Sequence, residues 1–274
     1  MGRDVPSDRT PLAGAPTTLD AFARDGFVIV DASDPASLDR LRDEIVGCVA
    51  EMLGISPDDL GPLDELHRHV APGEPAMRFR QRLTELLTQR HRVGRSVFDA
   101  FSEHLRPLVG NDVLAQRVPN LVVQPPQDPR PTELHRDAPA NSPYEVVAWV
   151  PFVDCERTKS MYLLDRATTD ELLDLHRRHP DEPVIVQEFL EHRSTLVEVR
   201  YGQALLFWSG LLHGSWTNDE DTTRLSMNLR FKSLFAPLGI KDPLRYFEVL
   251  ETSPLTRLGL GFQLDAMVED VTRG

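Results

Sequence analysis

The chain has 274 residues, 41% of them hydrophobic, enough to bury one large core and to exclude global disorder. Its 30 Lys and Arg stand against 43 Asp and Glu, a net charge of −13, which argues against a binder of nucleic-acid phosphates or of anionic membrane surfaces. Two cysteines, Cys48 and Cys155, are too few for a disulfide framework or a Cys-rich zinc site. No stretch approaches the ~18 apolar residues of a membrane span, and the polar, Pro-rich start has no secretory core. The expectation is a cytoplasmic protein whose partner is a small molecule, with no nucleic acid and no membrane.

In chain order, residues 1–16 read as a disordered leader, 19–25 as a short helix and 26–31 as a strand. A helix over 37–53, capped by Asp34 or Ser37, carries Leu38, Leu41, Ile45, Val49 and Leu53 at helical spacing, with Cys48 as a small buried apolar residue. Residues 54–75 are rich in Pro, Gly and Asp and read as a loop that could close as a lid, its His67 and His69 solvated or lid residues rather than a second metal pair. Helix returns over about 77–108, with a break near 92–94. From about 113, β-branched and aromatic runs alternate with turns: 117–124, 133–137, 145–152, 161–164, 184–188, 195–199, 203–208 and 224–233, with 169–179 the one interrupting helix. The expected organisation is a single domain over 17–274. It has a helical part over 17–112, a β core over 113–235 forming a sandwich or barrel with helices on its outer face, and a C-terminal extension over 236–274.

The residues that carry chemistry are His135, Asp137, His213 and Arg224. On a strand, i and i+2 share a face, so His135 and Asp137 would address one centre. Imidazole and carboxylate both ligate first-row divalent metals, and His213 would complete a two-His, one-carboxylate face with open positions. Arg224 opens an alternating strand in which Arg224, Ser226, Asn228 and Arg230 share one face and Leu225, Met227, Leu229 and Phe231 the other. A guanidinium beside a hydroxyl suits a carboxylate, to which it offers a planar two-donor fork.

HRD at 135–137, a His 78 residues after the first, an Arg 11 further on and a Ser two beyond it resemble the HxD…H…RxS pattern of Fe(II)/2-oxoglutarate-dependent dioxygenases. More narrowly, FARDGFVIVD and EVVAWVPFVDCERTKSMYLL are similar to segments of the phytanoyl-CoA dioxygenase superfamily, so the resemblance spans about 19–235. It implies a mainly β fold with flanking helices around a double-stranded β-helix (a jelly roll, cupin-like). His135, Asp137 and His213 would hold Fe(II), with 2-oxoglutarate and O2 as cosubstrates. Arg224 would pair with the distal carboxylate of 2-oxoglutarate, Ser215 and Ser226 would assist, and Trp149 would border it. Arg230 is a rival for the anchor and, with Asn228, a candidate substrate contact. The family's frequent Pro-Gly-Ser-His stretch is replaced here by Leu164-Asp165-Arg166-Ala167.

The activity so implied is an oxygenase that couples decarboxylation of 2-oxoglutarate to hydroxylation, or a related C–H oxidation, of a small polar metabolite of sugar-derived or antibiotic type. Two other readings stand beside it. A cupin-type isomerase or lyase would need the triad but not Arg224, and an inactive binding module would need neither.

Overall fold

Capping fixes where the first elements begin. In the computed structural model, which describes residues 17–180, 182–237, 239–241 and 243–261, the Thr17 side chain accepts from Asp20 N while the Asp20 carboxylate accepts from Thr17 N. Helix α1 (Thr18–Asp25) follows and is stopped by Gly26 in the left-handed region, φ 83°. The expected leader and the end of the C-terminal extension lie outside the described residues. Strand β1 (Phe27–Asp31) leads to α2 (Pro35–Leu53), capped by Asp34 as expected, with Leu38, Leu41, Ile45, Cys48 and Val49 buried. The second helical stretch divides into α3 (Glu74–Arg90) and α4 (Val93–Val109) at 91–92, and α2 packs against both. Residues 54–75 do not hang free. Leu60, Leu63, Leu66 and Val70 are buried in the main core, and His67 N donates to Thr223 Oγ1.

The β region comprises β2 (Val113–Gln116), β3 (Asn120–Gln124), β4 (Val146–Pro151), β5 (Met161–Leu163), helices α5 (Arg166–Arg178) and α6 (Pro183–Arg193), then β6 (Thr195–Val197), β7 (Gln203–Trp208), β8 (His213–Gly214) and β9 (Arg224–Ser233). A turn of helix, α7 (Pro243–Tyr246), strand β10 (Phe247–Glu251) and α8 (Pro254–Leu260) complete it. The larger sheet runs β1-β7-β4-β9-β2-β10, with β3 paired to β9, and the smaller runs β6-β5-β8; every pairing is antiparallel. This is a jelly-roll order flanked by helices, as a double-stranded β-helix requires.

The alternation in β9 sorts the chemistry. Leu225, Met227, Leu229 and Phe231 join the main core with Phe98, Phe101 and Leu105 of α4. The opposite face, Arg224 to Arg230, looks into the barrel, where the register sets Gln124 across from Arg224, Val122 from Ser226 and Trp149 from Asn228.

Three expected strands differ. Residues 184–188 lie in helix α6, because Pro183 opens a helical turn that needs no N–H there and Gln187–Arg193 favour helix over the β-branched Val-Ile-Val run. The run 117–124 is strand only from 120, as β3, because Pro119 has no N–H for a ladder, and β2 lies before the run. The run 133–137 makes only an isolated bridge at His135, and Asp137 adopts helical φ/ψ at the head of a 3-10 turn, Ala138–Ala140. Asp137 therefore reaches the site by turning the chain, not by strand alternation.

Candidate metal centre and its carboxylate pocket

His135 and His213 face each other across an antiparallel bridge in which each N–H donates to the other's carbonyl at 3.0 Å. His135 Nδ1 lies 2.9 Å from Glu133 O, and His213 Nδ1 lies 3.0 Å from Leu211 O. A carbonyl only accepts, so both protons sit on Nδ1 and both Nε2 lone pairs are free for a ligand. Those Nε2 atoms lie 3.8 Å from Asp137 Oδ1 and 3.9 Å from Asp137 Oδ2 respectively. One ligand atom from each of the three residues falls within 4.8 Å of the others.

Asp137 Oδ2 is buried and has no hydrogen-bond partner among the described residues. Such an oxygen is costly unless something positive meets it, and a nitrogen, nitrogen, oxygen set is the donor chemistry of a first-row divalent metal. Burial, helped by the neighbouring His135, pushes His213 down to about 4, so it is neutral and able to ligate at neutral pH. The His135 side chain remains 41% exposed and opens the centre on that side. Gly214 permits the close packing behind His213: a Cβ there would run into the Tyr162 hydroxyl and come within 2.9 Å of Thr132 O.

Arg224 is buried on β9 of the larger sheet, whereas His213 stands on β8 of the smaller. The Arg224 guanidinium lies 5.1 Å from the centroid of the Trp149 ring, donates from Nε to Ser226 Oγ at 3.2 Å and from Nη1 to Ser160 O at 3.1 Å. Ser226 also accepts from Trp149 Nε1 at 3.0 Å, so Ser226 ties cation and indole together. Burial pulls Arg224 down to about 10, still charged at neutral pH, and no carboxylate among the described residues comes within ion-pair distance of it.

Arg230 is the opposite case. Its Nη2 donates to Asp137 Oδ1, its Nη1 to Gln116 Oε1 at 3.1 Å and to Tyr246 Oη at 2.7 Å, and Glu145 Oε2 lies 3.8 Å from Nε. Ser215 Oγ accepts from Thr132 N at 2.8 Å, holding the segment that leads to His135 against the one that carries His213. Asn228 Oδ1 is buried without a partner. Two cavities meet at Thr132 and Ser215 beside the cluster. One, of about 130 Å³, lies under α3 between Arg80, Gln124 and Arg130; the other, of about 390 Å³, lies between Tyr162, Trp216, Val186 and Leu190.

Three residues around Arg230 escaped the sequence reading: Gln116, Glu145 and Tyr246. Glu145 stood as a lone charge before the apolar run of β4, so it left a signal. Gln116 and Tyr246 left none, because only the pairing of β2 with β10 brings them to Arg230. His67 bonds to Thr223 instead of joining a second metal cluster, and Glu220 of the acidic turn pairs with Arg157.

No protein-family model matches the sequence, and no curated protein matches it either. Solved structures do. The chain is similar to a non-heme monooxygenase, the ThoJ–Ni complex, with 18% identity and a TM-score of 0.51, covering 86% of this chain and 84% of that one. Apo ThoJ gives 16% and 0.50 over the same shares. The fold is that of the non-heme oxygenases. EctD from S. alaskensis with bound Fe is also similar, at 16% identity and a TM-score of 0.49, covering 88% of this chain and 86% of that one. These likenesses concern the fold, and the same chain brings His135, Asp137 and His213 within ligand distance of one another.

Proposed function

We propose that the protein is an Fe(II)/2-oxoglutarate-dependent oxygenase acting on a small polar metabolite. The observation that carries this reading is Arg224, a buried guanidinium with hydrogen bonds but no acidic partner among the described residues. Burying an unpaired charge is expensive. Stacking on Trp149 and two neutral acceptors offset only part of that cost, and a ligand carboxylate supplies the rest. A metal isomerase or lyase gives no reason to keep such a cation buried in the interior.

His135, Asp137 and His213 would hold Fe(II), which when bound supplies the redox chemistry coupling 2-oxoglutarate decarboxylation and O2 reduction to C–H oxidation. Arg224 pairs with the distal carboxylate of 2-oxoglutarate and so sets its orientation. Ser226 and Trp149 keep the guanidinium aimed, and Trp149 would border the cosubstrate. Ser215 lines the entrance beside Thr132. Arg230, already committed to Asp137, Gln116 and Tyr246, is left out of cosubstrate anchoring, and Asn228 Oδ1 is free to meet a substrate donor. ThoJ, a non-heme monooxygenase of similar fold described as a nickel complex, supports a divalent metal here. A substrate of sugar-derived or antibiotic type fits the polar interior. Both cysteines are buried and free, which suits a reducing cytoplasm, and among the described residues no helix is long and apolar enough to cross a membrane.

Titration calorimetry of 2-oxoglutarate into Ni(II)-loaded protein tests the anchor. Arg224→Gln is expected to weaken 2-oxoglutarate binding by about 10- to 100-fold, the scale of a lost charge-assisted bond, with Ni(II) affinity nearly unchanged. Equal binding by wild type and Arg224→Gln, or a loss seen only in Arg230→Gln, would remove Arg224 from the role.

A further inference from the structure

A carboxylate can bind a metal through one oxygen or through both, and the two oxygens of Asp137 stand in unlike surroundings. Oδ1 accepts from Arg230 Nη2, a charge-assisted bond between groups each 7% exposed, while Oδ2 is buried with no partner. We propose that Arg230 is a positioning residue that restricts Asp137 to a single metal–oxygen bond, and that Gln116 and Tyr246 lock Arg230 in the pose that does so. The proposal rests on the metal-centre reading above and deepens it.

The lock is visible in what surrounds the guanidinium. Gln116 Oε1 accepts twice from the same residue, from Arg230 N at 3.2 Å and from Nη1 at 3.1 Å. Tyr246 Oη accepts from Nη1 at 2.7 Å. Gln116 ends β2 and Tyr246 precedes β10, its antiparallel partner, with Arg117 N donating to Tyr246 O at 2.9 Å. The side chain is therefore clamped by two neighbouring strands and by its own backbone, and it cannot withdraw from Oδ1 without breaking these bonds. Glu145 Oε2, 3.8 Å from Nε, adds attraction on the remaining edge.

The consequence lies in coordination number. With six positions, two imidazoles and one carboxylate oxygen leave three open, whereas a chelating carboxylate leaves two. A bidentate cosubstrate and O2 together need three. Arg230 would thus protect the vacancy on which the chemistry depends without touching the metal, in the way outer partners orient metal ligands.

Water-proton relaxation of the Mn(II)-loaded protein counts exchangeable metal-bound waters, and the visible spectrum of the Co(II) form reports coordination number independently. Arg230→Met is expected to lower the relaxivity by about one third, from three waters to two, and to change the Co(II) spectrum. Tyr246→Phe combined with Gln116→Leu, which keeps the guanidinium but frees it, is expected to shift both readouts the same way and covers a failure of Arg230→Met to fold. Unchanged relaxivity and an unchanged Co(II) spectrum in either folded variant would overturn the proposal while leaving the metal centre intact. A wild-type protein that binds no Mn(II) would overturn both.

Discussion

Glu145 shows what the site demands of single residues. It is 2% exposed, one carboxylate oxygen has no partner, and burial pushes it up to about 7 from 4.5 despite nearby Arg230 and Lys232. The folded state therefore holds a proton that the unfolded chain releases, and stability falls as pH rises from 4.5 through about 7. Glu145→Gln, neutral and of the same shape, is expected to remove that slope. In urea unfolding of the metal-free protein it should exceed wild type by about 1–3 kcal/mol at pH 8 and match it at pH 5. A wild-type protein with equal stability at both values would contradict this. At this scale the sequence was most legible where several residues had to agree. His135, Asp137, His213 and Arg224 carry fixed spacings and chemistries, and the fold brings the first three within ligand distance. Arg230 was less legible, because a shared strand face says nothing of which residue meets a carboxylate already present.

At the scale of elements, β8 is only two residues long, yet it delivers His213. Its placement depends on Gly214, whose missing Cβ lets Tyr162 and Thr132 close against the strand. Gly214→Ala is expected to destabilise the fold by about 1–3 kcal/mol through overpacking and to weaken Ni(II) binding at least about tenfold by moving His213. Calorimetry with a denaturation curve checks both, and native metal affinity would contradict the role. Element reading from sequence held where one signal dominated, as in the strict alternation of β9 or the helical spacing of α2. It failed at 184–188, where β-branched residues suggested strand but the Pro183 start and the residues after it favoured helix. It also failed at 133–137. The right residues converge there through a turn at Asp137, where Pro139 sits in the first turn of the 3-10 helix that ends the extended run.

Over the whole molecule, the larger sheet gathers distant parts of the chain. β1 pairs with β7, and β10, from the segment read as an extension, pairs with β2. The extension was not legible as part of the sheet because a five-residue edge strand with exposed Val249 gives little periodic signal. With β1 and β10 in one sheet, the described residues are proposed to unfold as one unit. A single thermal transition is expected, raised by about 5 °C at Ni(II) concentrations 100-fold above its Kd. Two separate transitions, or no shift with metal, would contradict it.

The central claim is that the three-ligand cluster and Arg224 serve one reaction centre. It is tested most directly by adding Fe(II) and 2-oxoglutarate to metal-free protein without oxygen and recording the visible spectrum. A weak charge-transfer band that requires both components, and is lost in Asp137→Ala, is the expected result. Tight Fe(II) binding with no band on adding 2-oxoglutarate would contradict it.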